Sequence, residues 1–247
     1  MKLVLNEPKY LREPIIIISE LVNEVRFKLD KDKIELIAMD PANVAMVIFN
    51  LLGSAFTEYD IDHEMELAVN LDNLKQILKR TKPNDILTLE LDESKNRLKV
   101  QIKGENTKTF HLALIDIEEK EQKIPDLKFP IKIKMPTIVF NEAIEDMDII
   151  SESVSLFAEP KKFVIQAMGT TSEGKVEFDD IKTSLTGNEK IKAKYSIEYL
   201  KKIMKGSKLA DELVLQFNKD YPLRIDYTIK DKLQLSTILA PRVSDEE

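Results

Sequence analysis

Two segments of the chain, VNLDNLKQILKR and YSIEYLKKIMKG, carry lysines at a spacing suited to binding an extended anion. Lys75 and Lys79 are four residues apart in the first segment, and Lys201 and Lys205 repeat that spacing in the second. On a helix each pair lies on one face, where like charges oppose each other by a few tenths of a kcal/mol. A basic face that occurs twice therefore indicates an anionic partner such as a phosphate backbone.

The residues expected of an enzyme are missing from the sequence. The chain has no Cys, six glycines and two histidines, His63 and His111, and neither histidine has metal-ligand spacing around it. No nucleotide-binding glycine motif and no nucleophile motif is present. We therefore expect a protein that is not an enzyme, with no catalytic residue, no metal and no cofactor.

The overall charge contrasts with the basic segments. The formal net charge is −7 at pH 7, which by itself disfavours nucleic acid. A local basic surface on an acidic chain is consistent with a positively charged groove or hole inside an acidic exterior. Because no aromatic side chains are interspersed with these lysines to stack on bases, the expected contact is duplex DNA bound without sequence preference.

The elements that position the lysines occur twice along the chain. The lysine segments align at a constant offset (201 − 75 = 126), and alternating strands follow both of them. Upstream, Ala38–Phe49 aligns with Ala167–Phe178 at a slightly larger offset (167 − 38 = 129), which also pairs Leu11 with Phe140. This repetition predicts an internal duplication.

Each repeat is predicted to be a mixture of strands and helices. Period-two alternation predicts the strands, and an apolar stripe predicts helices at about Pro14–Asn23 and Phe140–Ser151 as well as in the lysine segments. The charged, proline-containing segment between the repeats predicts an extended connector. The predicted division is 1–116, a connector at 117–131, and 132–247, with an acidic tail from Ser244.

Compartment is indicated by what the composition lacks. The absence of Cys fits a reducing interior, and the apolar stretches are too short to span a bilayer. The sequence predicts no membrane association and a location inside the cell.

Several motifs, in order and at the right separations, resemble the sliding clamps of the proliferating cell nuclear antigen family, archaeal type. The motifs are AMDPANVAMV, AVNLDNLKQILK, IPDL, KMP, PLRIDY and LAPRVSDEE, and they extend over essentially the whole chain. The resemblance implies an α+β fold of two duplicated clamp domains per chain. Three chains would form a ring, with helices lining a central hole and antiparallel sheets outside.

The resemblance also implies the residues that would face DNA and the partners of such a ring. The expected partners are double-stranded DNA, a clamp loader, and DNA polymerase, flap nuclease and ligase bound through short peptides. In an archaeon the ring would be cytoplasmic and associated with the nucleoid, and in a eukaryote it would be nuclear. The expected DNA-contacting residues are Arg12, Lys75, Lys79, Arg80, Lys201, Lys202, Lys205 and Lys208.

A peptide pocket and a subunit interface follow from the same resemblance. Phe110 on the segment 107–116 is expected to lie beside segment 173–183 of the next chain and to anchor the joint. The expected pocket residues are Met39, Val44, Met46, Ile124, Pro222, Leu239, Ala240 and Pro241. Ile238 stands where relatives often have a tyrosine, which is expected to alter the depth of the pocket.

One helix departs from the family pattern and keeps alternatives open. The third helix carries Glu142, Glu145, Asp146 and Asp148 where basic residues are typical. Either this face turns away from the duplex, or the lining is weaker than usual. The acidic helix also fits a subunit of a heterotrimeric or checkpoint-type clamp, and an enzyme built on a duplicated sheet domain is the alternative from another class.

Overall fold

The computed structural model describes residues 1–117, 122–159, 162–178, 183–185 and 190–243, the segment 183–185 by its backbone alone. The predicted acidic tail, 244–247, lies outside the described residues. The helices are α1 (Lys9–Ile18), α2 (Leu71–Leu78), α3 (Thr137–Asp148) and α4 (Ile197–Ile203). A 3₁₀ turn, Met204–Lys208, continues α4. No helix in this part of the chain is long and apolar enough to cross a membrane.

The strands of the first half have these bounds. They are β1 (Lys2–Leu5), β2 (Glu24–Leu29), β3 (Lys33–Met39), β4 (Ala45–Leu52), β5 (Glu58–Asp60), β6 (Met65–Asn70), β7 (Ile86–Asp92), β8 (Arg97–Lys103) and β9 (Thr107–Ala113).

The strands of the second half follow in the same way. They are β10 (Ile131–Pro136), β11 (Ser153–Glu159), β12 (Lys162–Met168), β13 (Glu173–Phe178), β14 (Thr183–Leu185), β15 (Ile191–Ser196), β16 (Glu212–Phe217), β17 (Leu223–Ile229) and β18 (Leu233–Leu239).

The chain divides into two compact units. The first comprises Met1–Pro41, Val47–Ile124 and Thr228–Leu235; the second comprises Ala42–Met46, Pro125–Tyr227 and Ser236–Glu247. In the first unit β5, β1, β7, β8 and β9 form an antiparallel sheet in that order. In the same unit, β2 pairs with β3 and β6.

The second unit repeats this arrangement. One antiparallel sheet contains β14, β10, β16 and β17, and the other has the order β13, β12, β11, β15. The α+β fold with antiparallel sheets, predicted from alternation and duplication, is confirmed by these pairings.

The duplication is visible in the strands and in the packing of the helices. β2 and β11 begin at the predicted offset (153 − 24 = 129), and so do β3 and β12 (162 − 33 = 129). The same offset places the buried side chains of α1 on those of α3: Leu11, Pro14, Ile15 and Ile18 on Phe140, Ala143, Ile144 and Met147. One apolar face was therefore retained in both copies, and each helix packs through it.

Each repeat ends by the same backbone contact. The N–H of Ile115 donates to the carbonyl of Ala68 at 3.0 Å, and the N–H of Arg242 donates to the carbonyl of Lys194 at 2.7 Å. Ala68 and Lys194 are themselves equivalent (194 − 68 = 126), so both repeats close on the same edge strand.

The two helix predictions that began at Pro14 and Phe140 were wrong in their bounds. The first helix begins at Lys9 and ends at Ile18, so Pro14 lies inside it. Pro14 removes one intrahelical hydrogen bond, but the burial of its ring beside Ile15 keeps it in the helix. The second helix begins at Thr137, directly after Pro136, which suits a helix start because proline has no N–H to satisfy.

The connector has the predicted absence of regular structure where it can be described. Residue 117 and residues 122–130 form neither helix nor strand, and residues 118–121 lie outside the described part. The side chain of Phe129 packs edge-on against Tyr221, with ring centroids 5.9 Å apart, which holds the end of this segment against the second unit.

Candidate nucleic-acid interface

Helix α2 presents a basic surface because its apolar residues are on the other side. The side chain of Asn70 accepts a hydrogen bond from the N–H of Asn73 at 3.1 Å and caps the helix start. Leu71, Leu74 and Leu78 are buried. The sequence predicted Ile77 in place of Leu71 in this stripe; Ile77 is only half-buried, so the buried face is turned slightly from the predicted one.

Two of the predicted DNA-contacting residues in the first unit already have partners. The Nζ of Lys75 lies 2.6 Å from Oδ1 of Asp72, and the lysine side chain is only 18% exposed. The guanidinium of Arg12 pairs with Glu13 at 2.7 Å and donates to the carbonyl of Thr81 at 3.1 Å. These two side chains are thus held against the surface.

Lys79 and Arg80 are different from Lys75 and Arg12. Both are exposed at the end of α2, and neither forms an ion pair with any residue that the structure describes. They are the cations of the first unit that can reach an anionic partner without first giving up a carboxylate.

Helix α4 repeats the arrangement of α2 in the second unit. Ile197, Leu200 and Ile203 are buried, so the helix packs through one apolar side. Lys201 and Lys202 lie in its last turn, and the 3₁₀ turn that follows carries Lys205 and Lys208, both exposed. Lys208, like Lys79, has no ion pair within the described residues.

The lysines in the last turn of α4 are paired with carboxylates. The Nζ of Lys201 lies 2.6 Å from Oδ2 of Asp148, which raises the pKa of Lys201 above its ordinary value. The Nζ of Lys202 lies 2.8 Å from Oε1 of Glu198, and this hydrogen bond lowers the pKa of Glu198. Lys202 also lies over the ring of Tyr199, 5.0 Å from its centroid.

The acidic residues of α3 line the same surface as the lysines of α4. Glu142, Glu145, Asp146 and Asp148 are all exposed. A groove of about 790 Å³ contains Glu145, Asp148 and Glu198 from the acidic side chains. Its basic residues are Lys201, Lys202, Lys205, Lys208 and Arg242. The acidic face therefore does not turn away from the lysines.

Arg242 is a residue of this groove that the sequence did not identify. Its Nη1 donates to Oγ of Ser153 at 2.9 Å, and its backbone N–H bonds to Lys194. The sequence separation between Arg242 and α4 left no pattern that could have placed them together.

The residues predicted for a peptide pocket differ in exposure. In the second unit, Asn43 adopts a left-handed conformation (φ 57°), and the carbonyl of Val44 next to it accepts the N–H of Ala240 at 2.8 Å. Val44, Pro222, Ala240 and Pro241 are half-buried, whereas Met46 and Leu239 are 5% and 0% exposed. In the first unit, Met39 is half-buried and Ile124 is 45% exposed.

The two segments predicted to meet at a subunit interface are the end strands of their sheets. β9 is the last strand of the order β5-β1-β7-β8-β9, and β13 is the first of β13-β12-β11-β15. Phe110 on β9 is half-buried. Of the predicted segment 173–183, positions 179–182 lie outside the described residues.

Metal chemistry finds no support in the described residues, which contain no cluster of three or more His, Asp or Glu side chains able to hold an ion. The cavity at the first turn of α1, lined by Glu7, Lys9, Arg12 and Asn84 among others, is open and polar.

Comparisons with known proteins cover nearly the whole chain. Residues 2–122 match the family model of the proliferating cell nuclear antigen N-terminal domain, and residues 123–242 match that of the C-terminal domain.

Similar proteins come from several archaea, and each is named DNA polymerase sliding clamp. The protein of Pyrococcus horikoshii is 36% identical over 230 residues, 92% of both chains. The proteins of Thermococcus sibiricus and Nanoarchaeum equitans are each 36% identical over 247 residues, covering 99% and 98% of this chain and 99% of theirs. A crystal structure of PCNA from Thermococcus kodakaraensis has a TM-score of 0.91 at 27% identity, covering 98% of this chain and 99% of that one.

Proposed function

The chain belongs to the proliferating cell nuclear antigen family, and we propose that it is a DNA polymerase sliding clamp that encircles duplex DNA as a ring of three copies. The observation that carries this proposal is the repeated basic surface on α2 and α4, at equivalent positions of a chain with net charge −7. Six such surfaces, two from each copy, would surround the duplex. Lysine and arginine contacts to phosphate carry no sequence information, so the ring can slide.

Ring closure would use the end strands β9 and β13. An end strand leaves one row of N–H and C=O groups free to pair with another chain. Antiparallel addition of β9 of one copy to β13 of the next would extend both sheets across the joint. The half-buried ring of Phe110 would lose its remaining exposure there.

Enzymes would attach through the pocket predicted around Ile124 and the segment 239–241. Such pockets take a short peptide with aliphatic and aromatic anchors as one helical turn. The exposure of Ile124, 45%, makes it the side chain best placed to be covered by a peptide. DNA polymerase, flap nuclease and ligase are the proposed clients, and a clamp loader that uses ATP is proposed to open the ring.

The proposed domain boundaries are 1–116, 117–131 and 132–247. The two family models meet between 122 and 123, inside the proposed connector. Limited proteolysis that cuts first within 117–131 would support these boundaries, and a first cut elsewhere would contradict them.

The experiment that tests the clamp is retention on DNA of defined topology. The protein is loaded on nicked circular DNA by a clamp loader and ATP, and the circle is then cut. A ring held by topology stays on the circle and slides off the free ends of the linear product. Retention that survives linearisation, or loss from the intact circle, would overturn the proposal.

A subunit of a heterotrimeric or checkpoint-type clamp is the second candidate. The observation that favours it is the exposed acidic side of α3, which a ring with more basic partner chains would tolerate better than a ring of three identical ones. The mass in solution of the protein expressed alone separates the two: a trimer supports the homomeric ring, and a monomer or dimer supports the heteromeric one.

A further inference from the structure

The carboxylate that neutralises Lys201 comes from a different helix. Lys75 and Lys202 pair with Asp72 and Glu198 within their own helices, whereas the bond of Lys201 joins α4 to Asp148 at the end of α3. Lys201 and Asp148 remain 48% and 38% exposed, so the pair is at the surface and a phosphate group can approach the lysine.

The first repeat has no carboxylate at the position equivalent to Asp148. The offset of the helices α1 and α3 aligns Asp148 with Ser19 (148 − 19 = 129), and Ser19 is buried with its hydroxyl donating to the carbonyl of Ile16 at 2.8 Å. The offset of α2 and α4 aligns Lys201 with Lys75. The two repeats therefore differ in one charge directly beside an equivalent lysine.

We propose that Asp148 acts as a built-in counter-ion for Lys201, so that the second repeat holds DNA more weakly than the first. This inference rests on the proposed function, because it assumes that the basic surfaces face a duplex. A lysine that is already neutralised releases less counter-ion when it meets a phosphate, and Asp148 repels the same phosphate. The grip on DNA then depends chiefly on Lys79 and Arg80, and the second repeat mainly completes the ring.

Charges on both helices act on this pair, and Asp148 has the largest effect. Glu145 also faces Lys201 and raises its pKa, but less than the hydrogen bond from Asp148 does. On the other side of the groove, Lys202 is occupied by Glu198. Replacement of Asp148 should therefore change Lys201 more than replacement of any neighbouring carboxylate.

The test replaces Asp148 by the residue of the first repeat. Asp148→Ser is compared with Asp146→Ser, which removes the same charge from an exposed residue of α3 that forms no ion pair with the described residues. Binding of a labelled short duplex is measured by fluorescence anisotropy at a series of NaCl concentrations. We expect Asp148→Ser to tighten binding about two- to fivefold more than Asp146→Ser, and to steepen the salt slope by up to about 0.9.

Two further measurements keep the inference separate from the proposed function. Lys201→Ala should weaken binding more in the Asp148→Ser background than in the parent protein. NMR titration of the Lys201 side chain, without DNA, should show its pKa falling in Asp148→Ser and not in Asp146→Ser. Equal binding by the two serine variants, or an unchanged pKa of Lys201, would overturn the inference while the clamp stands. If Lys79→Ala leaves duplex binding unchanged, the proposed DNA surface fails instead.

Discussion

The backbone of Gly206 lies directly against the aromatic ring of Tyr227. A Cβ atom at position 206 would stand 2.3 Å from Cε2 of that ring, and the ring is 1% exposed. Gly206 is the middle residue of the 3₁₀ turn that carries Lys205 and Lys208. The close approach therefore sets where these two lysines leave the surface.

Gly206→Val is expected to destabilise the protein and to move this turn. The new side chain must displace either the buried ring or the backbone, and overpacking of this kind costs about 1–3 kcal/mol. The free energy of unfolding is measured by urea denaturation. Gly174→Ala is the control, because the nearest atoms to its Cβ belong to the flexible side chains of Met147 and Ile150. Equal stability of the two variants would contradict the packing argument.

Phe110→Ala is expected to weaken the ring and leave the monomer folded. Phe110 is half-buried in the single chain, so most of the loss should fall on the joint and raise the dissociation constant of the ring more than about tenfold. Sedimentation at a series of concentrations measures the mass, and circular dichroism checks the fold. Thr109→Ala, on the opposite face of β9, should assemble like the parent; an unfolded F110A monomer or an unaffected ring would remove Phe110 from the interface.

Ile124→Asp is expected to abolish the binding of client peptides without changing the mass of the ring. A peptide that covers this position would bury an unpaired carboxylate, which should cost at least about tenfold in affinity. Isothermal titration with a clamp-binding peptide measures the effect. Ile138→Asp is the matched control, since Ile138 is 64% exposed at the start of α3 and lies outside the proposed pocket. Unchanged affinity of I124D for the peptide would show that the pocket is misplaced.

The sequence predicted the repeat and its lysine faces because both depend on local periodicity. Leu11 and Ile15 aligned with Phe140 and Ile144 at a fixed offset, and all four are buried as that alignment implies. The start of α1 was wrong because Pro14 resembles a helix-opening residue in the sequence. In the structure the helix begins after Pro8, and burial of Pro14 among the isoleucines offsets its lost hydrogen bond.

The state of each lysine could not be predicted, because it depends on side chains brought together by tertiary structure. Lys75 and Lys79 have the same spacing in the sequence, yet one is bonded to Asp72 and the other is exposed. Asp148 and Lys201 are 53 residues apart and meet only because α3 packs beside α4. Spacing along one helix identifies a basic face but not the carboxylates of its neighbours.

Lys79→Ala is expected to weaken duplex binding more than Lys75→Ala, although the two lysines are one helical turn apart. Lys79 is exposed without an ion pair among the described residues, so each phosphate that it neutralises releases counter-ion and steepens the salt dependence by about 0.9. Lys75 is 18% exposed and bonded to Asp72, so its loss also frees a carboxylate and changes the net count of available cations little. The affinity of each variant for a short duplex is measured against NaCl concentration, with two unrelated DNA sequences. Because the contacts are to phosphate, K79A should weaken both duplexes alike and flatten the slope, while K75A should leave the slope near that of the parent. A larger effect of K75A, or a loss confined to one DNA sequence, would contradict this assignment of the DNA-facing surface.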